Sequence, residues 1–183
     1  MGRFTGKVVS IVGAAGEDNM GQVMARRFAA EGAKVVVSGR HEAALSKLAE
    51  EIDGDWVLCD FSKKASINTM IDSIIDRHGK LDVAINSTGW GLLVPLEENS
   101  EEQLDQMLDL QFKGPFVWLQ KLIQVMADTG GSIIQISSAT ANIMLDDHAA
   151  YMGTKAGTDH LIRCVANQYG PKGIRANSIS PGL

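Results

Sequence analysis

Lys7-Val-Val-Ser-Ile-Val12 runs directly into Gly13-Ala-Ala-Gly16-Glu-Asp-Asn-Met-Gly21, and this junction decides how the chain folds. A helical pattern follows over Gln22–Glu31, then a second apolar run, Lys34-Val-Val-Val-Ser38. Strand, glycine-rich turn, helix and strand within about 30 residues is the layout of a dinucleotide-binding unit. Glycines let the backbone approach a pyrophosphate, and the first turn of the helix offers it unpaired N–H groups. Glycines also end strands tightly without binding anything. The strand on either side of the helix favours the nucleotide reading.

Alternation continues to the end of the chain. A helix is predicted over Glu42–Ile52, a strand over Asp55–Leu58, a helix over Lys64–His78 and a strand over Leu81–Asn86. Ser100 and Gln103 form a capping box, which makes the acidic group Glu97, Glu98, Glu101 and Glu102 a solvated helix start rather than a metal site. That helix is expected to reach about Met126, broken or bent near Gly114-Pro115. A strand at Ser132–Ser137, a helix bearing Tyr151 and Lys155, and a strand at Arg175–Ser180 complete the pattern. The expected fold is α/β: a Rossmann-type, doubly wound parallel sheet with helices on both faces and right-handed crossovers.

With 183 residues, 45% hydrophobic and 21% charged, the chain reads as one ordinary globular domain. A net charge of −5 without a basic stripe argues against nucleic acid as a partner. No long apolar run and no leader pattern is present, so no membrane partner and a cytoplasmic location are expected. Cys59 and Cys164 lie far apart in apolar surroundings and read as buried thiols. His41, His78, His148 and His160 show no metal-ligand spacing.

Ser138, Tyr151 and Lys155 supply the parts of a carbonyl-reducing acid. Tyr151 and Lys155 stand four apart and share a helix face. A phenol with a free pKa of about 10 exchanges protons poorly at neutral pH, and a nearby ammonium favours its phenolate. Ser138 follows a strand end, so its hydroxyl can reach the same place. Two hydroxyls could then hold a substrate oxygen while a hydride arrives. Tyr-x-x-x-Lys alone is a common exposed helix pair; its order among the other motifs gives it weight.

Taken together, the motifs resemble those of the short-chain dehydrogenase/reductase family, compact single-domain type, over nearly the whole length. They run in order: the turn Gly13–Gly21, Asp60, Asn86-Ser-Thr-Gly89, Ser138, Tyr151-x-x-x-Lys155 and Asn177-x-x-x-Pro181-Gly182. The resemblance implies Tyr151 as general acid/base, Ser138 as hydrogen-bond partner of the substrate oxygen, and Lys155 on the nicotinamide ribose. Gln111, three before Gly114, stands where the family places an asparagine that organises a proton relay. The implied cofactor contacts are Gly13, Asn19, Met20, Gly21, Arg40, Asp60, Phe61, Asn86, Gly89, Tyr151, Lys155, Pro181 and Gly182. Gly13 and Gly21 stand eight apart rather than the family's six, so the turn carries two extra residues, with Glu17 and Asp18 expected to bulge toward the adenosine side. Asn19 is aligned with the middle glycine because asparagine tolerates positive φ.

Gly39 occupies the place of the acid that would accept from a ribose 2′-hydroxyl, and Arg40 offers a guanidinium to a 2′-phosphate. This favours NADP(H), with NAD(H) the alternative. The substrate is expected to be a partly hydrophobic small carbonyl or alcohol compound, with Trp90, Leu92, Thr140, Asn142, Met144 and His148 near its pocket. Residues 1–183 are expected to form a single dinucleotide-binding catalytic domain lacking the substrate-covering segment with which family members usually continue. Two other readings stay open: a non-catalytic dinucleotide-binding protein, and a lyase or epimerase using the same Tyr–Lys chemistry. A homodimer or homotetramer is expected through the helices holding Met107–Met126 and Ala149–Tyr169, on the strength of Val117, Leu119, Leu122, Ile123, Leu161, Ile162 and Val165.

Overall fold

The apolar runs pair into one parallel sheet in the computed structural model, which describes residues 2–182. Its strands are β1 (Val8–Val12), β2 (Lys34–Gly39), β3 (Asp55–Leu58), β4 (Val83–Asn86), β5 (Gly131–Ile136) and β6 (Ile174–Ile179). They lie in the order β3-β2-β1-β4-β5-β6. The order reverses between β1 and β4, and the crevice at their carboxyl ends is where such sheets bind ligands. Every residue of β1 is buried, as a strand covered on both faces requires.

Alternation along the strands feeds two cores. Val9, Ile11, Val35 and Val37 point to one face and meet Leu45, Leu48 and Ala25. These belong to α1 (Met20–Ala30) and α2 (Glu42–Glu51). Val8, Val12 and Val36 point to the other face and meet Ile67, Met70, Ile74, Trp118, Leu122 and Ile162. These belong to α3 (Lys64–His78), α5 (Gly114–Val125) and α6 (Ala149–Tyr169). At the strand entrances, the Asp82 carboxylate accepts the Val8 N–H and the Lys7 ammonium, each at 2.9 Å. This contact fixes β4 beside β1, and β4 begins at Val83 rather than Leu81. None of the described helices is long and apolar enough to cross a membrane.

The expected long helix is three pieces. Capped by Ser100 and Gln103 as the sequence indicates, α4 spans Glu101–Leu108. A π-helical segment, Asp109–Lys113, follows, and α5 begins at Gly114. The departure thus starts five residues before the expected Gly114. Two contacts account for it. Pro115 has no N–H for the carbonyl four residues back, that of Gln111, and the Thr158 hydroxyl on α6 donates to that carbonyl instead, at 2.6 Å. A Cβ at Gly114 would sit 2.3 Å from the Phe61 carbonyl oxygen, so only glycine lets the helix pass there.

The residues expected to reach a second subunit need correction. Leu119, Leu122, Ile162 and Val165 are buried in the monomer core, and Val117, Ile123 and Leu161 are packed against it. The apolar surface left open lies instead around Leu96, Leu104 and Phe116, which are 73%, 42% and 45% exposed.

Gly114→Ala should lower stability by about 1–2 kcal/mol. Overpacking against a backbone oxygen that cannot turn aside takes the upper part of the usual range, about 2–3 kcal/mol, and alanine's better helix propensity returns only about 1 kcal/mol. Urea unfolding followed by circular dichroism measures this, and an unchanged midpoint would count against the close packing as its cause.

Candidate active site

The turn after β1 is built on Gly13, whose φ of +95° sends the chain over the sheet end. Both Gly13 and Ala14 donate their N–H to the Ser38 carbonyl, at 2.8 and 3.2 Å. A Cβ at Gly13 would lie 2.7 Å from the Ser87 carbonyl carbon, and one at Gly21 would lie 2.7 Å from the Gly13 oxygen. The turn is closed tightly at both places. Asn19, expected in the left-handed region, is instead extended, with φ −72° and ψ 169°. It is the N-cap of α1: its side-chain oxygen accepts from Gln22 N at 3.0 Å and its amide donates to the Gly13 carbonyl at 2.8 Å. The left-handed residue is Asp18, one position earlier, at φ +48°. Its carboxylate lies 3.7 Å from Arg26 on α1 and is 87% exposed.

A crevice of about 300 Å³ opens over this turn, lined among others by Gly13, Gly16, Asn19, Arg40, Asp60 and Gly89. The close-packed glycine turn and the N–H groups at the α1 N-terminus behind it suit a pyrophosphate; the crevice fits a dinucleotide. Asp60 lies on its floor, where Oδ1 accepts the Ser62 N–H at 3.0 Å and hydroxyl at 2.7 Å. The Ser62 hydroxyl, with Arg40 adding its charge, holds the Asp60 carboxyl below its ordinary range. Arg40 is exposed at the crevice mouth, and Met20 opens α1 half exposed. Cys59 also borders the crevice, but burial pushes its thiol up to about 11. A larger surface recess of about 720 Å³, between α2 and β3, contains none of these crevice residues.

Two expected contacts have mainly structural surroundings. The Phe61 ring is 2% exposed and meets Trp118 edge-on at 6.0 Å, so only its edge borders the crevice. Asn86 is fully buried; its amide donates to Gln135 at 2.9 Å and its oxygen accepts from Thr88 N and Oγ1, at 2.9 and 2.7 Å. It shapes the turn that presents Gly89 rather than lining the crevice.

Beyond Gly89 stand Lys155, Tyr151 and Ser138. The Lys155 ammonium is buried, donates to the Ile136 carbonyl at 3.0 Å and lies 5.6 Å from the centre of the Tyr151 ring. Burial pulls its pKa down to about 8, and Asp159 works against that fall. Ser138 is extended at the β5 exit, and its Oγ accepts from Thr140 N at 3.2 Å and Thr140 Oγ1 at 2.9 Å. With both lone pairs used, its own O–H is free to donate to a substrate oxygen. A Cβ on Gly89 would come within 3.4 Å of Gln111 Oε1 and 3.7 Å of Lys155 Nζ, so the two side chains converge there. Gln111 is buried, accepts from Trp90 N at 3.3 Å, donates to Thr154 Oγ1 at 3.2 Å and touches Met107 Sδ. The Pro181 carbonyl accepts from Ala139 N at 2.9 Å, which holds the Pro181-Gly182 segment beside Ser138. His148 meets the Tyr151 ring edge-on at 6.4 Å, while Met144 is 84% exposed.

Thr154, Thr158 and Asp159 escaped the sequence reading, although all three are buried polar residues on α6. Their signal was spacing: three from Tyr151, and three and four from Lys155, on a helix face that otherwise had to be apolar.

A doubly wound sheet with a glycine turn at its switch point, and a tyrosine–lysine pair beside the crevice, defines the Rossmann-type oxidoreductases as a class. Within it, a family model described as enoyl-(acyl carrier protein) reductase matches residues 13–183. The chain is 31% identical over 185 residues to D-threitol dehydrogenase of Mycolicibacterium smegmatis, covering 98% of this chain and 70% of that one. It is 34% identical over 187 residues to 3beta-hydroxysteroid dehydrogenase of Mediterraneibacter gnavus, covering 99% and 67%. The crystal structure of a short-chain dehydrogenase from Mycobacterium smegmatis superposes with a TM-score of 0.94 at 29% identity, over 100% of this chain and 79% of that one. The chain belongs to the short-chain dehydrogenase/reductase family.

Proposed function

We propose that this oxidoreductase interconverts a small secondary alcohol and its carbonyl compound using NADP(H), with Tyr151 as general acid/base. The observation that carries the reading is the Tyr151 ring 5.6 Å from a buried Lys155 ammonium, with Ser138 at the adjoining strand end. A bound nicotinamide supplies or accepts the hydride. In reduction, the Tyr151 hydroxyl gives its proton to the carbonyl oxygen while the free Ser138 O–H hydrogen-bonds the same atom. Lys155 lowers the cost of the phenolate left behind and would hold the nicotinamide ribose hydroxyls. Gln111, converging with Lys155 on Gly89, supports a role in returning the proton. Gly13, Gly21, Met20 and the Asn19-capped helix start would hold the pyrophosphate, Asp60 the adenine, and Gly89, Pro181 and Gly182 the nicotinamide side.

The two relatives are named for a polyol and a steroid, so they favour hydroxyl-bearing small molecules without choosing a skeleton. Two features favour NADP(H) over NAD(H). No acid stands at Gly39, where a Cβ would meet the Ala15 methyl at 2.7 Å, and the Arg40 guanidinium borders the same crevice. Asp18 turns to Arg26 on α1, which weakens the case that it would repel a 2′-phosphate.

A homodimer fits the apolar recess of about 600 Å³ in which Leu96, Leu104, Leu108 and Phe112 face Ala149 and Gly153 of α6. An exposed apolar groove between two helices is the kind of surface a symmetry-related copy covers.

Tyr151→Phe is expected to keep cofactor binding and lose about 10²–10⁴-fold in turnover. Steady-state assay with a panel of ketones and alcohols, beside a cofactor titration, tests it; near wild-type turnover would sink the assignment.

Arg40→Ala should erase most of a preference for NADPH over NADH. A charge-assisted contact is worth about 1.5–3 kcal/mol, or about one to two decades in affinity. Fluorescence titration with both cofactors decides, and tighter NADH binding by the unmodified protein would defeat the idea.

Light scattering should return at least twice the 19.6 kDa chain mass, and Leu104→Glu should halve it. A monomer before substitution would reject the helix-face dimer.

A further inference from the structure

Asp159 is 8% exposed and sits one helical turn beyond Lys155 on the same face of α6. One of its carboxylate oxygens accepts the Ser137 hydroxyl at 2.8 Å. The other, Oδ1, is buried and has no hydrogen-bond partner among the described residues. A buried carboxylate with an idle oxygen is costly to keep ionised unless a cation lies close by.

Lys155, one turn earlier on α6, is the one buried cation among the described residues, and it meets Asp159 through space rather than as an ion pair. Among the segments packed against α6, the π-helical turn carries Asp109 and Lys113, which pair with each other at 2.8 Å. Lys121 on α5 pairs with Asp72 at 2.6 Å. Glu101, Glu102 and Asp105 on α4 are exposed. So are Arg175 on β6 and Lys172 in the turn before it. On α6 itself, His160 and Arg163 are exposed. From β5, Lys155 meets the Ile136 carbonyl, and from the turn after β4 it faces Gly89, neither of them charged.

We propose that Asp159 is a positioning residue: its buried carboxylate keeps Lys155 an ammonium beside Tyr151 and, through Ser137, ties the strand end bearing Ser138 to the same helix. The functional meaning of this rests on the Tyr151–Lys155 reading above; the electrostatic link does not. Burial favours the neutral amine of Lys155, and Asp159 is the group acting the other way. Without the anion the ammonium loses its proton at lower pH. The alkaline limbs of NADPH affinity and of turnover then move to lower pH as well.

The test is side-chain NMR titration of Lys155 in the full chain with isotope-labelled lysine, its resonance identified by its loss in Lys155→Arg. Asp159→Asn should lower the midpoint by about one pH unit, the scale expected for one nearby charge at intermediate dielectric. Asp159→Glu should keep it near the wild-type position. Ser137→Ala, which cuts the tether and spares the carboxylate, should not lower it comparably. Should Asp159→Asn not fold, Asp159→Ser reads the same midpoint. An unmoved midpoint, or an equal fall in Ser137→Ala, overturns the inference. A protein that reduces no carbonyl yet shows the Asp159-dependent midpoint would fail the functional reading and uphold the electrostatic link.

Discussion

The Ser38 carbonyl, accepting two successive N–H groups from Gly13 and Ala14, holds the turn on which the site depends. It belongs to β2, so the strand next to β1 dictates where the chain leaves the sheet. Because Gly13 is left-handed and leaves no room for a side chain, the path stays flush against Ser87 at the end of β4. The first turn of α1 is thereby aimed into the crevice between the diverging strands β1 and β4. Asn19 locks that geometry by capping α1 and gripping the Gly13 carbonyl together. This end of the crevice is therefore made of backbone, with side chains acting mainly to hold it still.

The sheet and its order of elements were legible in the sequence because parallel strands buried on both faces leave continuous apolar runs, and none is plainer than Val8–Val12. The turn was legible as a turn. Its middle was not, because asparagine serves both left-handed positions and helix caps, and the two extra residues let Asp18 take the first role and Asn19 the second. The break in the α4–α5 helix was placed at Gly114-Pro115 from local chemistry alone. Its true start depends on the Phe61 carbonyl and the Thr158 hydroxyl, partners too distant in sequence for local pattern to carry. The apolar residues chosen for a subunit interface failed for a related reason: Leu119, Leu122, Ile162 and Val165 all face inward because α5 and α6 lie over the same face of the sheet.

Of the candidate site, the Tyr-x-x-x-Lys spacing could be read directly, since four residues on a helix define a face. What the fold adds is the environment. Lys155 is enclosed, Ser138 has its lone pairs filled by Thr140, and Gln111 is brought opposite Lys155 across Gly89. Each of these arises from contacts between separate elements. Asn86 illustrates the opposite case: a residue expected at the cofactor works one layer below it, shaping the turn by hydrogen bonds to Gln135 and Thr88.

The π-helical segment has a consequence for how insertions and deletions can be tolerated. A π turn carries one residue more than the α-helix around it, and each residue in an α-helix advances the face by about 100°. Removing a single residue from Asp109–Lys113 would restore regular winding with little change of phase, because about five residues of a π turn sweep nearly the same angle as about four of an α-helix. The capped, acidic start of α4 would keep its solvent-facing side, and Met107 its place in the core. The surplus residue is thus taken up locally, as a bulge between two helices with different tasks. In this region a one-residue change of length can be absorbed by the winding, while the contact at Gly114 still fixes composition.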